Sequence, residues 1–314
     1  MKCIQLLFPI VPDQPINDSL HQALKLADQC SSHVTLLAVI EDLAEFKEIY
    51  RYSGTTLNIL DEATKVYEQA LTQQAQLLKS QYANIKFHTK IRIGVPYIEI
   101  IKEAKELNAT MVAIDSHRAD KTVACQRGSN TLNLMRKSEV PIWSISTNAT
   151  LVKRVVAAID LTNQDYQNFN HKIIALASDV CSVFGAELIL CHAWRLESEG
   201  FLRKWNRYED IDIALLSKSM RDDRMARLQS LLEPYENSAI TTNVELLEGE
   251  TREVLPEYVV NSDIDLVILG SLSREGIAGF LMGNTAESIL NQLDCSVVTL
   301  KPDSFKSPVL SESE

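Results

Sequence analysis

Residues 265–270 read Asp265-Leu266-Val267-Ile268-Leu269-Gly270, and residues 110–115 read Thr110-Met111-Val112-Ala113-Ile114-Asp115. Each is a short, continuous apolar run that stops at the mouth of a polar loop. A run of this length without alternation predicts a strand covered on both faces, as in a parallel sheet. The two runs stand 155 residues apart in a chain of 314, close to half its length.

Working outward from these runs, the same plan appears twice. Leu6-Leu7-Phe8-Pro9-Ile10 and Val155-Val156-Ala157-Ala158-Ile159, the latter ending at Asp160, read as first strands. Helical patterns follow at about 16–30 and 165–184, and second strands run from His33 to Ile40 and from Ala186 to Ala193. Long polar segments carry helices at about 58–81 and 209–233, and third strands at about 85–93 and 240–247 end at Gly94 and Gly249. Helices at about 97–107 and 251–261 lead into the two quoted runs. Helices at about 129–138 and 285–293 and fifth strands at about 140–146 and 295–300 complete each copy. Apolar strands alternating with helices predict an α/β fold of two tandem, parallel-sheet, Rossmann-like domains with right-handed crossovers. The expected domains are 1–147 and 152–302, with 303–314 as a flexible tail.

Composition narrows the function. Hydrophobic residues at 46% and charged residues at 23% are those of a packed globular chain. A formal net charge of −11 argues against nucleic acid and against anionic lipid, since both need a local excess of base. No run reaches the length of a membrane span. The stretch from Ile4 to Val11 is interrupted by Pro9 and lacks a small-residue cleavage site, so it reads as a strand rather than an export signal, and the expected compartment is the cytosol. The six cysteines show no CxxC spacing and read as reduced apolar residues. Asp115, His117 and Cys125 match no standard metal spacing, and no metal site is expected. No Walker loop, Gly-x-Ser-x-Gly elbow or HExxH is present, so no catalytic residue is assigned. Arg221-Asp222-Asp223-Arg224 reads as a solvated helix face with local ion pairs, and Trp194, Trp205 and Tyr208 as packing residues.

Ligands of open α/β sheets bind outside the carboxyl ends of the strands, which directs attention to the loop after residue 269. That loop carries Gly270, Gly276, Gly279 and Gly283, and Gly283-Asn284-Thr285 opens a helix. Free N–H groups and the helix dipole suit a phosphate there. Asn284 with Glu287 three residues on also reads as a capping box, which needs no ligand. The glycine pattern alone does not choose between these readings.

The loop resembles the nucleotide loop of the universal stress protein family, Gly-x2-Gly-x9-Gly-(Ser/Thr). Gly270 matches its first position, Gly283 its third, and nine residues separate Ser273 from Gly283. Gly276-Ile277 and Gly283-Asn284-Thr285-Ala286-Glu287 are similar to the tandem, E-type members of that family, and the resemblance covers about 3–301. It implies two family domains packed as an internal pseudo-dimer through their fifth strands. It further implies that Asp160 meets the adenine or ribose and that Ala193 flanks the base. Gly270, Ser273, Gly283, Asn284 and Thr285 would then surround the ribose and phosphates of an ATP, with or without Mg. Ser273 and Asn284 depart from the family pattern, but both can still donate hydrogen bonds to phosphate.

The first half keeps the spacing through Asp115-Ser116-His117-Arg118 and Gly128-Ser129 but has lost both early glycines. Val11 replaces the strand-end aspartate, with Asp13 close by. No nucleotide is expected there, and Gly128-Ser129 reads as a helix cap. The resemblance implies a stress-response sensor of ATP or a related phosphorylated metabolite acting on a protein partner, as an internal pseudo-dimer that could itself dimerise. The alternatives are a slow nucleotide hydrolase, for which Asp160 and Glu287 are the available carboxylates, a ligand-free scaffold, and a binder of another phosphorylated ligand.

Overall fold

The computed structural model describes residues 4–12, 14, 16–41, 56–116, 127–146, 151–162, 167–196, 198–204, 210–235, 240–271 and 282–311. The chain forms two compact units. One comprises Met1–Leu151, Ser271–Gly283 and Asp294–Glu314, and the other Val152–Gly270 and Asn284–Leu293.

In the first unit the elements are β1 (Gln5–Pro9), α1 (His21–Gln29), β2 (His33–Ile40), α2 (Thr56–Gln81), β3 (Lys86–Ile93), α3 (Pro96–Glu106), β4 (Met111–Asp115), α4 (Ser129–Lys137) and β5 (Ile142–Ile145). The second copy supplies β6 (Arg154–Ala158), α5 (Gln167–Phe184), β7 (Glu187–Trp194), α6 (Glu199–Lys204), α7 (Asp210–Leu232), β8 (Thr242–Glu248), α8 (Thr251–Asn261), β9 (Leu266–Gly270), α9 (Asn284–Gln292) and β10 (Ser296–Leu300). A short helix, α10 (Pro308–Ser311), follows.

The first unit's sheet runs β3-β2-β1-β4-β5-β10, and the second unit's runs β9-β6-β7-β8. Within each copy the pairs are parallel, as the apolar runs predict. Consecutive residues are buried: Leu6, Leu7 and Phe8 in β1, Val155, Val156 and Ala157 in β6. That pattern requires cover on both faces. β3 is an edge, and its Lys86, His88 and Lys90 are exposed, a composition that discourages pairing with another chain.

β10 is the fifth strand of the second copy, yet it belongs to the first unit. It pairs antiparallel with β5, Val297 opposite Ser144, Val298 opposite Trp143 and Thr299 opposite Ile142. The buried Arg127 secures this junction, Nη2 donating to the Cys295 carbonyl at 3.0 Å and Nε to Ser144 Oγ at 3.3 Å. The Ser146 N–H donates to Ser296 Oγ at 3.0 Å.

The segment after β10 packs on other elements of the first unit up to residue 311. Phe305 is buried under the Lys301 ammonium, the Ser307 N–H donates to Glu139 Oε1 at 3.0 Å, and α10 packs on α3. The segment's own aromatic ring, Phe305, and a carboxylate distant in sequence, Glu139, hold it in place.

The duplication extends to backbone detail. The Ile10 N–H donates to the Leu37 carbonyl at 2.9 Å, as Ile159 does to Cys191 at 2.9 Å. Gly94 donates to Ile40 at 3.0 Å, as Gly249 does to Trp194 at 2.8 Å; Ser116 donates to Ile145 at 2.9 Å, as Ser271 does to Leu300 at 3.1 Å. Positive φ angles recur at matching places: 148° at Gly94 and 145° at Gly249, 49° at Asn108 and 48° at Asp263, 49° at Ser31 and 64° at Gly185.

Helix boundaries differ from the periodic reading mainly at 16–30. Asn17 accepts a bond from the Ser19 N–H, and a 3-10 turn at Asp18–Leu20 precedes α1. Trp194 is buried, as packing requires. Arg224 leaves the charged run of α7 to lie over the Trp194 ring at 4.8 Å, while Asp223 pairs with Arg227 at 3.0 Å along the helix. Trp205 and Tyr208 lie outside the described residues.

A Cβ added at Gly249 would stand 2.4 Å from Val254 Cγ1, on a backbone that only glycine adopts readily. Gly249→Ala is expected to cost about 2–4 kcal/mol from strain and clash together, read as a lower urea midpoint with an unchanged m-value.

Candidate functional site

In a parallel sheet the strand register decides which residues share an end. Ala158 of β6 is level with Cys191 of β7 and with Leu269 of β9. Continuing each strand toward its carboxyl end places Asp160, Ala193 and Gly270 within one row of one another. Three of the expected site residues thus share the carboxyl end of the second unit's sheet, where α/β proteins bind ligands.

Local contacts explain much of this end without a ligand. Asp160 Oδ1 accepts from the Thr162 N–H at 2.9 Å and from Thr162 Oγ1 at 2.5 Å, a turn closed by the aspartate itself. Asn170 of α5 clasps the same residue, its Nδ2 donating to the Asp160 carbonyl at 2.7 Å and its Oδ1 accepting from the Asp160 N–H at 3.3 Å. At Gly270 an added Cβ would meet Phe169 Cε1 at 2.4 Å, so the α5 ring occupies the space a side chain would need. Ala193 lies between the buried His192 and Trp194 and is level with Leu247 of β8.

Asn284 and Thr285 form the first turn of α9, which packs on α8. Gly283 therefore takes the cap position, and Asn284 is already helical. The capping-box reading, which needs Asn284 as the cap, is out of register, and Glu287 lies one place beyond the box. The first copy shows the same arrangement: Gly128 caps α4 with φ −60° and ψ 152° and makes no side-chain capping bond. Both helix starts thus rest on glycine, leaving their first N–H groups to other acceptors. Ser273 lies outside the described residues, as do His117 and Cys125. Among the described residues no cluster of three or more His, Cys, Asp or Glu could hold a metal ion, and no helix is long and apolar enough to cross a membrane.

The periodic reading missed Lys301. A lysine one residue past a strand reads as a solvated terminus. Here it is buried, its Nζ donating to the carbonyl of Ser271, the residue after Gly270, at 3.1 Å. Burial pushes the ammonium down to about 8. Only the ring beneath it, Phe305 four residues on, is a sequence signal for such a pocketed cation. Cys181 and Cys191 are buried in the second unit. Burial, followed by the nearby Glu187 and Glu245 respectively, pushes both thiols up to about 12, which removes them as nucleophiles near neutral pH.

The sequence profile of the Universal stress protein family matches residues 7–145 and 152–301, once over each copy. The chain belongs to the universal stress protein family. It is 23% identical to universal stress protein E of Photorhabdus laumondii over an alignment of 320 positions that covers 98% of each chain. It is equally identical to universal stress protein E of Escherichia coli K12, over 98% of this chain and 97% of that one. Solved structures share the fold. A functionally unknown protein from Pseudomonas aeruginosa PAO1 superposes with a TM-score of 0.67 at 19% identity, over 99% of this chain and 95% of that one. A universal stress protein from Archaeoglobus fulgidus gives 0.65 at 19% identity, over 95% and 98%. Both superpositions cover nearly the whole chain, so the likeness of fold extends over both copies.

Lys301 yields a pH prediction. The unfolded chain holds the lysine proton to about pH 10.4, while the folded chain releases it near 8. The unfolded state therefore binds more protons in that window, and this residue's contribution to stability rises with pH between about 8 and 10.4. Lys301→Met is expected to be more stable than the parent below pH 8, by on the order of 1–3 kcal/mol, with the gap closing toward pH 10.4 in urea titrations.

Proposed function

We propose that the protein is a non-catalytic stress-response regulator in the cytosol that binds ATP, with or without Mg, in its second copy and reports occupancy to a protein partner. The single observation that carries this reading is the shared strand end of Asp160, Ala193 and Gly270, followed by a helix whose first turn, Asn284 and Thr285, is capped by Gly283. Asp160 offers a carboxylate to a ribose, Ala193 leaves room beside a base, and the α9 start offers backbone N–H groups to phosphate. Ser273 would add a hydroxyl to that phosphate shell. With a net charge of −11, an anion site has to be built from backbone dipoles rather than from a basic patch.

No group in this set is posed as a catalytic base. The one strand-end carboxylate is engaged by Thr162, an arrangement that suits binding over hydrolysis. A second reading has its own support: the Phe169 ring explains Gly270 and the Thr162 turn explains Asp160, so the same residues suit a scaffold without ligand.

Calorimetric titration of ATP, with and without Mg, separates the readings. Binding that Gly283→Asp weakens at least 10-fold, with phosphate release at the buffer rate, supports the sensor. Turnover lost in Asp160→Asn would favour a hydrolase. No heat with any nucleotide, and no phosphorylated compound in the mass spectrum of the purified protein, would leave the scaffold.

A further inference from the structure

The matching backbone bonds of the two copies align Val11 with Asp160, Val39 with Ala193 and Asp115 with Gly270. They also align Ser146 with Lys301, because Ser116 donates to Ile145 as Ser271 does to Leu300. Both Ser146 and Lys301 are buried, but only the second copy places a charge there. Ser146 is held through its backbone, its N–H donating to Ser296 Oγ at 3.0 Å. The copy that keeps Gly270 and Gly283 is thus also the copy with a buried cation beside the residue that follows Gly270.

Ser271 is fully buried and held through both of its backbone groups. Its N–H donates to the Leu300 carbonyl at 3.1 Å, and its carbonyl accepts from Lys301 Nζ at 3.1 Å. The Phe305 ring lies against the same ammonium, its centroid 4.9 Å from Nζ. A carbonyl can be held without a charge. A glutamine amide also donates, and it escapes the desolvation of a buried ammonium. What lysine alone adds here is positive charge in a dry setting, where a charge acts over several ångströms with little screening. In a protein of net charge −11, that charge stands one residue from Gly270.

We propose that Lys301 is a specificity-determining residue of the second copy's site: its charge favours ligands that carry phosphate over the same ligands without it, and makes their binding depend on its own proton. This role rests on the reading of the second copy as an ATP site. Among the described residues, the groups that face the ammonium are the Ser271 carbonyl and the Phe305 ring, which do not titrate. Burial pushes Lys301 down to about 8. A phosphate nearby favours the ammonium, so the liganded protein keeps the proton to higher pH than the free protein. Affinity for ATP is therefore highest below pH 8 and declines above it.

Calorimetry on the full chain compares ATP with adenosine in the parent, in Lys301→Gln and in Lys301→Met. Both variants are expected to lose about 10-fold in ATP affinity at pH 7, and to change adenosine affinity by less than about 2-fold. In the parent, ATP affinity is expected to fall about 5-fold between pH 7 and pH 9, a decline that Lys301→Met lacks. Because Lys301→Met is also expected to gain stability below pH 8, its weaker binding would not come from a damaged fold. Equal ATP affinity in parent and Lys301→Met, full affinity in Lys301→Gln, or equal losses for ATP and adenosine would overturn this role while leaving the ATP reading in place. So would the same pH profile in parent and Lys301→Met. A parent that binds no ATP would overturn both.

Discussion

A strand covered on both faces can meet solvent only at its ends. That constraint governs everything else in this chain. Residues 111–113 and 266–269 of the two apolar runs are buried, so no functional side chain fits along their length. Polar residues therefore gather where the strands stop, and parallel direction brings all the stops of one kind to the same side. The alignment of Asp160, Ala193 and Gly270 follows from register rather than from any attraction among them.

The two copies show how far a shared backbone leaves chemistry open. Hydrogen bonds and left-handed residues match from one copy to the other, yet the three aligned strand-end positions carry different side chains. Backbone geometry at these ends is held by parallel pairing and by glycines such as Gly94 and Gly249, neither of which depends on what the end residues do. Val11 and Val39 can therefore replace Asp160 and Ala193 without disturbing the sheet, since none of the four side chains is fully buried. Duplication followed by divergence at the rim yields two surfaces of different polarity on one scaffold.

The sequence made the strands and long helices legible because burial on both faces leaves an unbroken apolar signature. It also exposed the copy number, since glycines and strand ends recur at a near-constant interval. Three kinds of feature were less accessible. The partner of a strand is not encoded in its hydrophobicity, so 296–300 reads as a fifth strand without showing that it clusters with the other copy. Side chains that serve their own backbone, such as Asp160 with Thr162, have the composition of ligand-binding residues. Lys301 also depends on the Ser271 carbonyl, a contact the local pattern does not contain. Ser273 is legible by spacing alone.

The placement of β10 has a consequence for how the chain is made. The outer side of β5 stays open until residue 300 exists, about 155 residues after β5 itself leaves the ribosome. At synthesis rates of about 5–20 residues per second that is an interval of roughly 10–30 s. Throughout it the nascent first unit carries an apolar strand, Ile142-Trp143-Ser144-Ile145, with one unsatisfied edge. A chain truncated after the first copy would keep that edge permanently. The first unit's sheet is thus completed only when the last strand of the second copy has been made.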